Sequence, residues 1–407
     1  MSENPFKDEN APSASLEVQT TETASTRSNP PEEMAATLPP PPDRRTEQQQ
    51  DVVEGKQVAG FDGLEVAYTL QKKQGSMGEN VRNDDAAMAD PETGLFGVFD
   101  GLGGVPNSHL ASAMSAHELP NLFNLELREQ ALEKDEDIIQ GLTTRLRIRT
   151  DEDVAQIPLE AEEKIQEVES ASEAVIQRVS SDIALARKAC ALLASIDQLG
   201  ENAEALSVQT TACTGFIHKT AEGKHLAVIA NVGDSVALGI RPDGRVRILT
   251  NEDSYLNLLL RNGSITRETL LEMKRQPDKF FPMQLPEFST KVPMKYYDIM
   301  VTLTHSIGNG APNPSLTITE LEPNEELILC TDGVVDKFET KPNTKTTPEN
   351  ILETSLDTGE LASAYLFEES LVERVDSLRI QASRNKSYKL DDDIAIVAIK
   401  IKEDPKP

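Results

Sequence analysis

The chain has 407 residues and a formal net charge of -29 at pH 7, with 69 Asp and Glu against 40 Lys and Arg. That length holds one large domain or two ordinary ones, and a charge this negative excludes nucleic-acid binding by bulk electrostatics, which needs clustered Lys and Arg. Cys190, Cys213 and Cys330 form no CxxC pair, which argues against a disulfide framework and a zinc ribbon.

No apolar run reaches the length of a membrane span, and the first residues lack the apolar core of a signal peptide. The expectation is a cytoplasmic protein with no membrane partner. Residues 1–56 are rich in Pro, Ser, Thr, Glu and Gln, with NPPEE and LPPPPD inside. Too few apolar residues stand there to offset the entropy of ordering, so a disordered tail is expected. LPPPPD reads as an extended spacer or as a ligand for a proline-recognition module. One folded domain is expected over 57–403.

Along that domain, LEVAYTL (Leu64 to Leu70) alternates as a half-buried strand does, and LFGVFD (Leu95 to Asp100) is apolar enough for a buried strand. From about 108 to 200 the pattern turns helical. In PLEAEEKIQEVESASEAVIQRVSSDIALARKACALLASI apolar residues recur at helical spacing amid Glu and Lys, giving one long or two medium amphipathic helices. The stretch LEKDEDIIQGLTTRLRIRTDEDVAQI reads as a loop or as partly extended. Strands return in QTTACTGFIHK, HLAVIANVGD and VALGIRPDGRVRIL, the last a hairpin turning at RPDG. SYLNLLLRNGSITRETLLEMKRQ reads as two short helices split at Asn-Gly, the second with a threonine cap. LTITELEPNEELILCTD gives two more strands, 348–384 is helical, and DDIAIVAIKI closes the domain as an apolar strand. The order lacks regular β-α alternation and suits an α+β fold, with antiparallel sheets and helices packed outside.

Several aspartates share one local pattern. Asp100 follows LFGVF and precedes Gly101; Asp234 follows AVIANVG; Asp332 follows ELILCT and precedes Gly333; Asp392 opens the last strand; Asp84 and Asp85 precede the strand pair leading to Asp100. Each Asp-Gly taken alone is an ordinary turn. Together, carboxylates at the ends of adjacent strands converge on one sheet edge, which is costly unless a cation neutralises them. Magnesium and manganese take such oxygen ligands, and a glycine lets the backbone carbonyl approach the ion. Two such cations activate a water for phosphate-ester hydrolysis.

The ordered set of motifs resembles the metal-dependent protein phosphatases of type 2C over about residues 60–402. NDDA at Asn83 is similar to the family's N-E-D motif, LFGVFDGLGG to FGVFDGxGG, and QTTACTG to its Gly-Thr-Thr-Ala strand. ANVGDSVAL resembles VGDSRA, LTHSIGN stands where the family has S/T-R-A-L-G-D, LILCTDGVVD resembles LxLxSDGLxD, and DDIAIVAI resembles DNxTxIVV. The resemblance implies a four-layer α-β-β-α sandwich with two antiparallel sheets, and a serine/threonine phosphoprotein phosphatase; a monomer is expected. It implies two Mg2+ or Mn2+ ions and a third, weaker one. Carried over, Asp100 bridges the metal pair, the Gly101 carbonyl binds one ion, and Asp332 and Asp392 complete the other. Asp84 and Asp85 hold metal-bound waters, and Asp234 serves the third ion. Asp100, Asp85 and Arg82 are then the expected catalytic residues.

The chain departs from the family pattern at several positions. Leu102 stands where eukaryotic members carry a histidine acid, an apolar choice that bacterial members share. Val236 replaces an arginine, His305 and Asn309 replace Arg and Asp, Asp393 replaces Asn, and Ala395 replaces Thr. The family's phosphate-binding arginine falls at Asn80, and Arg82 lies two residues on. Arg82 either grips phosphate bidentately or is a solvated surface charge. A pseudophosphatase that binds phosphoproteins is therefore the rival reading. The helical segment 108–200 is extra scaffold or an inserted interaction element, and 252–305 lies where the family has a flap.

Overall fold

The computed structural model describes residues 52–402, apart from 62, 73–82, 104, 156–161, 251, 262, 284–290, 297–298, 300–301, 340–341, 343–344, 349–355 and 385–391. The segment expected as a disordered tail lies outside the described residues up to 51. Its expected end at 56 is overtaken by the first strand, which begins at Val52.

Among the described residues, β1 (Val52–Val58), β2 (Leu64–Gln71), β3 (Asp85–Asp90) and β4 (Leu95–Asp100) come first. Helices α1 (Ser108–Gln130), α2 (Asp135–Ala155), α3 (Glu162–Ser181) and α4 (Ile183–Leu206) follow. Next are β5 (Ala212–Lys219), β6 (His225–Val232), β7 (Val236–Ile240) and β8 (Val246–Ile248). Then α5 (Tyr255–Arg261), α6 (Arg267–Arg275), β9 (Phe281–Met283) and β10 (Val292–Met294) form the segment expected as a flap. The chain closes with β11 (Ser315–Glu320), β12 (Glu326–Cys330), the single turn α7 (Asp332–Val335), α8 (Thr358–Tyr365), α9 (Leu371–Arg384) and β13 (Ile394–Ile401).

The strands make one sheet in the order β1-β2-β13-β12-β7-β8 and another in the order β11-β6-β5-β4-β3, with β9 and β10 as a separate hairpin. Every pairing within them is antiparallel. The apolar runs explain the layering. In β4, Phe96 and Val98 face the other sheet, while Leu95 and Phe99 face the helices. In β13, Val397 and Ile399 join the layer between the sheets, while Ile396 and Ala398 pack under α8 and α9. Strands apolar on both faces are buried on both faces, so the sheets stack and helices close each outer side. The expected α-β-β-α sandwich is the fold.

Helices α1 to α4 cover the five-stranded sheet. The segment expected to be a loop or partly extended is helix α2. Its Ile138, Leu142 and Leu146 recur every four residues and are buried against that sheet's helical layer. Gly141, Thr143 and Thr144 between them, poor helix formers, hide this stripe. The long amphipathic stretch is two helices, split where Asp182 caps α4 by accepting from the Leu185 amide at 3.1 Å. In the flap segment Thr266 caps α6, accepting from the Thr269 amide at 3.2 Å. This segment has its own core of Leu259, Leu270, Met273, Phe281, Tyr296 and Ile299. The RPDG hairpin forms as expected, with Gly244 at a φ of 84° in the turn between β7 and β8.

Candidate metal centre

The acidic residues collect at one end of the stacked sheets, and both sheets contribute. Asp85 opens β3 and Asp100 ends β4, and the register pairs them directly. Asp332 starts α7 just after β12, and Asp392 and Asp393 lead into β13, so these three come from the six-stranded sheet. The link between β6 and β7 carries the chain from one sheet to the other in the three residues Gly233, Asp234 and Ser235. Carboxylate oxygens of Asp100, Asp234 and Asp332 all lie within 4.8 Å of one another. Asp392 is exposed, yet its charge is felt at both Asp85 and Asp100.

Hydrogen bonds across the sheets fix this end. The Asp84 amide donates to Asp393 Oδ2 at 2.6 Å. Thr331 Oγ1 donates to Asp85 Oδ2 at 2.7 Å and accepts from the Ala395 amide at 3.0 Å. Asp100 is held through its backbone. Its amide donates to Thr211 Oγ1 at 3.1 Å, and its carbonyl accepts from the Thr211 amide at 2.8 Å and from Thr210 Oγ1 at 2.7 Å. Thr211 Oγ1 also lies 2.8 Å from Ser235 Oγ, beside Asp234. The Asp100 side chain is thus left for the cluster while its backbone is fully engaged.

Gly101 forms a tight cradle. Its amide donates to the Asp84 carbonyl at 3.0 Å, and Ser112 Oγ donates to the same carbonyl at 2.5 Å. A Cβ at Gly101 would sit 2.6 Å from the Asp84 carbonyl oxygen and 2.9 Å from the Ser108 carbonyl. Gly333 is similarly constrained, because a Cβ there would collide with the Asp393 carbonyl oxygen.

The electrostatics are those of a cluster that wants a cation. Burial, then the charges of Asp393 and Asp392, push the Asp85 carboxyl well above the usual range, and Thr331 only partly opposes them. Burial, then Asp85, Asp332, Asp234 and Asp392, push Asp100 up as well. A divalent cation reverses both effects by neutralising the cluster. The donor set is all oxygen, as hard cations require, and it sits beside a glycine whose place no larger residue can take. The residues present therefore fit divalent metal ions.

The structure thus brings together Asp84, Asp85, Asp100, Gly101, Asp234, Asp332 and Asp392. Arg82 and Asn80 lie outside the described residues. Sequence reasoning missed Thr331 and Asp393 as the residues that hold Asp85 and Asp84. It also missed Asp253, a buried carboxylate whose Oδ2 accepts from the Gly233 amide at 3.3 Å, next to Asp234. The pair Thr210-Thr211 was visible in QTTACTG, but as a strand rather than as the clamp on Asp100.

Comparison with known proteins gives the family. The protein phosphatase 2C family model matches residues 75–373. The chain belongs to the protein phosphatase 2C family. A curated relative, a putative protein phosphatase 2C-type of Streptococcus pyogenes, is 29% identical over 111 residues. That match takes in 27% of this chain and about a third, 35%, of the relative's length. Among solved structures, the serine/threonine phosphatase Stp1 of Staphylococcus aureus is 18% identical, with coverage of 86% of this chain and 100% of that one and a TM-score of 0.49. The phosphatase MsPP of Mycobacterium smegmatis in complex with cacodylate is 17% identical, with coverage of 83% and 97% and a TM-score of 0.48. The catalytic domain of the phosphatase PstP with two manganese ions is 14% identical, with coverage of 84% and 99% and a TM-score of 0.43.

Proposed function

We propose that the chain is a metal-dependent phosphatase that hydrolyses phosphoserine and phosphothreonine esters in phosphoproteins. The observation that carries this reading is the convergence of Asp100, Asp234 and Asp332 within 4.8 Å at the end of both sheets of a phosphatase 2C fold. Asp100 is assigned as the bridging ligand, with the Gly101 carbonyl, Asp234, Asp332 and Asp392 as further ligands and Asp84 and Asp85 as holders of bound water. Two Mg2+ or Mn2+ ions held there would activate a water for in-line attack and offset charge on the phosphate oxygens. A third ion at Asp234 belongs to the same reading.

The chain's own residues have clear tasks. Thr210 and Thr211 fix the Asp100 backbone so that its carboxylate points one way. Thr331 holds Asp85, and Asp393 holds the Asp84 backbone. Leu102 offers no proton, so the leaving oxygen is protonated from water or another group. The cytoplasmic setting, the monomeric state and the limits of the domain remain part of the proposal. Among the described residues, no helix is long and apolar enough to cross a membrane.

Asn80 in place of the family's arginine supports the rival reading, a phosphoprotein-binding module on the same fold. The deciding measurement is phosphate release from a phosphopeptide with Mn2+ present. The expected result is Mn2+-dependent turnover in the intact protein, and Asp332→Asn is expected to abolish it while the circular dichroism spectrum stays unchanged. A folded, Mn2+-loaded wild-type protein that releases no phosphate would sink the enzyme reading. Full turnover in Asp332→Asn would sink the ligand assignment.

A further inference from the structure

Helix α2 lies in the part of the chain that separates β4, which ends at Asp100, from Thr210 and Thr211, which lead into β5. One of its side chains leaves the helical layer and reaches the turn that carries Asp234. Arg149 is buried, with 8% of its surface exposed, and so is Asp253, with 5% exposed. Arg149 Nη2 donates to Asp253 Oδ1 at 2.6 Å, and Nη1 donates to the Asn313 carbonyl at 2.8 Å. Its Nε lies 3.4 Å from Asp153 Oδ2 on the same helix. The Asn313 side-chain amide also bonds Glu152, so this loop holds the helix at two points.

Asp253 passes the contact on. Its Oδ2 accepts from the Gly233 amide at 3.3 Å, and its own amide donates to the Gly233 carbonyl at 2.8 Å. The Asn231 side-chain amide Nδ2 donates to that same carbonyl at 3.1 Å. Gly233 sits at a φ of 98°, and a Cβ there would meet the Thr211 side chain at 2.6 Å. The backbone on both sides of the Gly233 peptide is therefore gripped, and the next residue is Asp234. The Asp253 carbonyl accepts from the Thr304 amide and Oγ1, both at 2.8 Å, and His305 Nδ1 lies 3.7 Å from Oδ1. Burial alone would raise the Asp253 carboxyl, but His305 and Arg149 outweigh it and hold the group below the usual range. It is the ionised form that accepts from Gly233 and Arg149 together.

The geometry points to Arg149 as a positioning residue for the metal centre, acting through Asp253 to set the Gly233-Asp234 turn. The inference gives helix α2 a task beyond scaffold: it makes the placement of one metal-site carboxylate depend on how the helical layer is docked. It rests on the reading of Asp234 as a metal ligand. The physical reason is that the groups behind a metal ligand fix its direction, and loss of a direct partner weakens metal binding about 10- to 100-fold. Arg149 acts further out, through Asp253 and the Gly233 backbone, so the low end of that range applies. Removing the guanidinium also leaves the Asp253 carboxylate buried with less compensation, so the turn relaxes toward water.

The test is Mn2+ binding by titration calorimetry on the intact protein, with thermal unfolding measured alongside. Arg149→Ala is expected to weaken Mn2+ binding at one site about tenfold. Arg149→Lys keeps the charge but spans fewer acceptors, so it is expected to recover part of the affinity. Arg145→Ala is the control, because Arg145 lies one turn earlier on the same helix and pairs bidentately with Asp197 at 2.6 and 2.9 Å. That variant is expected to lose stability and keep wild-type Mn2+ affinity. If Arg149→Ala does not fold, Arg149→Lys against Arg145→Ala makes the same comparison. Wild-type Mn2+ affinity in the Arg149 variants, or equal losses in the Arg145 and Arg149 variants, overturns the inference and leaves the metal centre standing. A wild-type protein that binds no Mn2+ overturns both.

Discussion

At Gly101 a single hydrogen atom in place of a methyl group decides the geometry. The neighbours of the missing Cβ are backbone atoms of Asp84 and Ser108, which cannot swing aside as a side chain can. Gly101→Ala is expected to cost about 1–3 kcal/mol of stability in denaturant unfolding, the range for forced overpacking. It should also lower turnover, because the displaced atoms include the backbone of Asp84 itself. The glycine was legible in LFGVFDGLGG, but its reason was not. The sequence suggested freedom for the carbonyl, whereas the structure shows close approach of two other segments. Asp393 teaches the same lesson. It looked like a loss of the family's asparagine, yet its Oδ2 accepts the Asp84 amide, which needs only an oxygen. The extra charge appears instead as added repulsion on Asp85.

Among the elements, the long apolar strands were legible, while β1, β9, β10 and one helix were not. LFGVFD, HLAVIANV and IAIVAIKI are apolar on both faces, and burial on both faces is what the stacked sheets impose. Helix α2 was missed because its buried stripe of Ile138, Leu142 and Leu146 is blurred by apolar residues off that face, such as the exposed Ile148, and by a Gly and two Thr in the middle. Its stripe is nonetheless structural. Leu142 is 1% exposed within the layer that covers the five-stranded sheet. Leu142→Ala is expected to cost about 2–5 kcal/mol by chemical denaturation, as other large-to-small core changes do. A cost near zero would mean that α2 is peripheral to the core. The contact from Arg149 to Asp253 spans 104 residues, and nothing in local spacing could have announced it.

On the scale of the whole molecule, the acidic end sets how stability responds to pH and to metal. The folded protein holds Asp85 and Asp100 above the ordinary aspartate value of 3.8, so it binds more protons than the unfolded chain above that value. Stability from these two groups is fully present below 3.8 and is lost as pH rises through their raised values. The chelator-treated protein is therefore weakened by this end at neutral pH. Mn2+ displaces the protons and removes the repulsion. The expected result is that the rise in melting temperature on adding Mn2+ is larger at pH 7.5 than at pH 5, read by differential scanning calorimetry. An equal rise at both values would contradict the raised carboxyls. The order of strands along each sheet, and the sharing of the site between sheets, could not be read from the sequence. They follow from long-range pairings such as β2 with β13, which no local pattern encodes.

The three-residue crossing at Gly233, Asp234 and Ser235 has a mechanical consequence. Two stacked sheets touch mainly through side chains, which resist separation better than they resist sliding. At this end sliding is blocked by a covalent strap, by the Asp84-Asp393 bond and by the Asp85-Thr331 bond. A cation gripped by carboxylates from both sheets would act as a rivet through the stack. Its hold would then register any slippage in the layer of Phe96, Val98, Leu329 and Val397, so such a centre would double as a gauge of how well the two halves of the sandwich are seated.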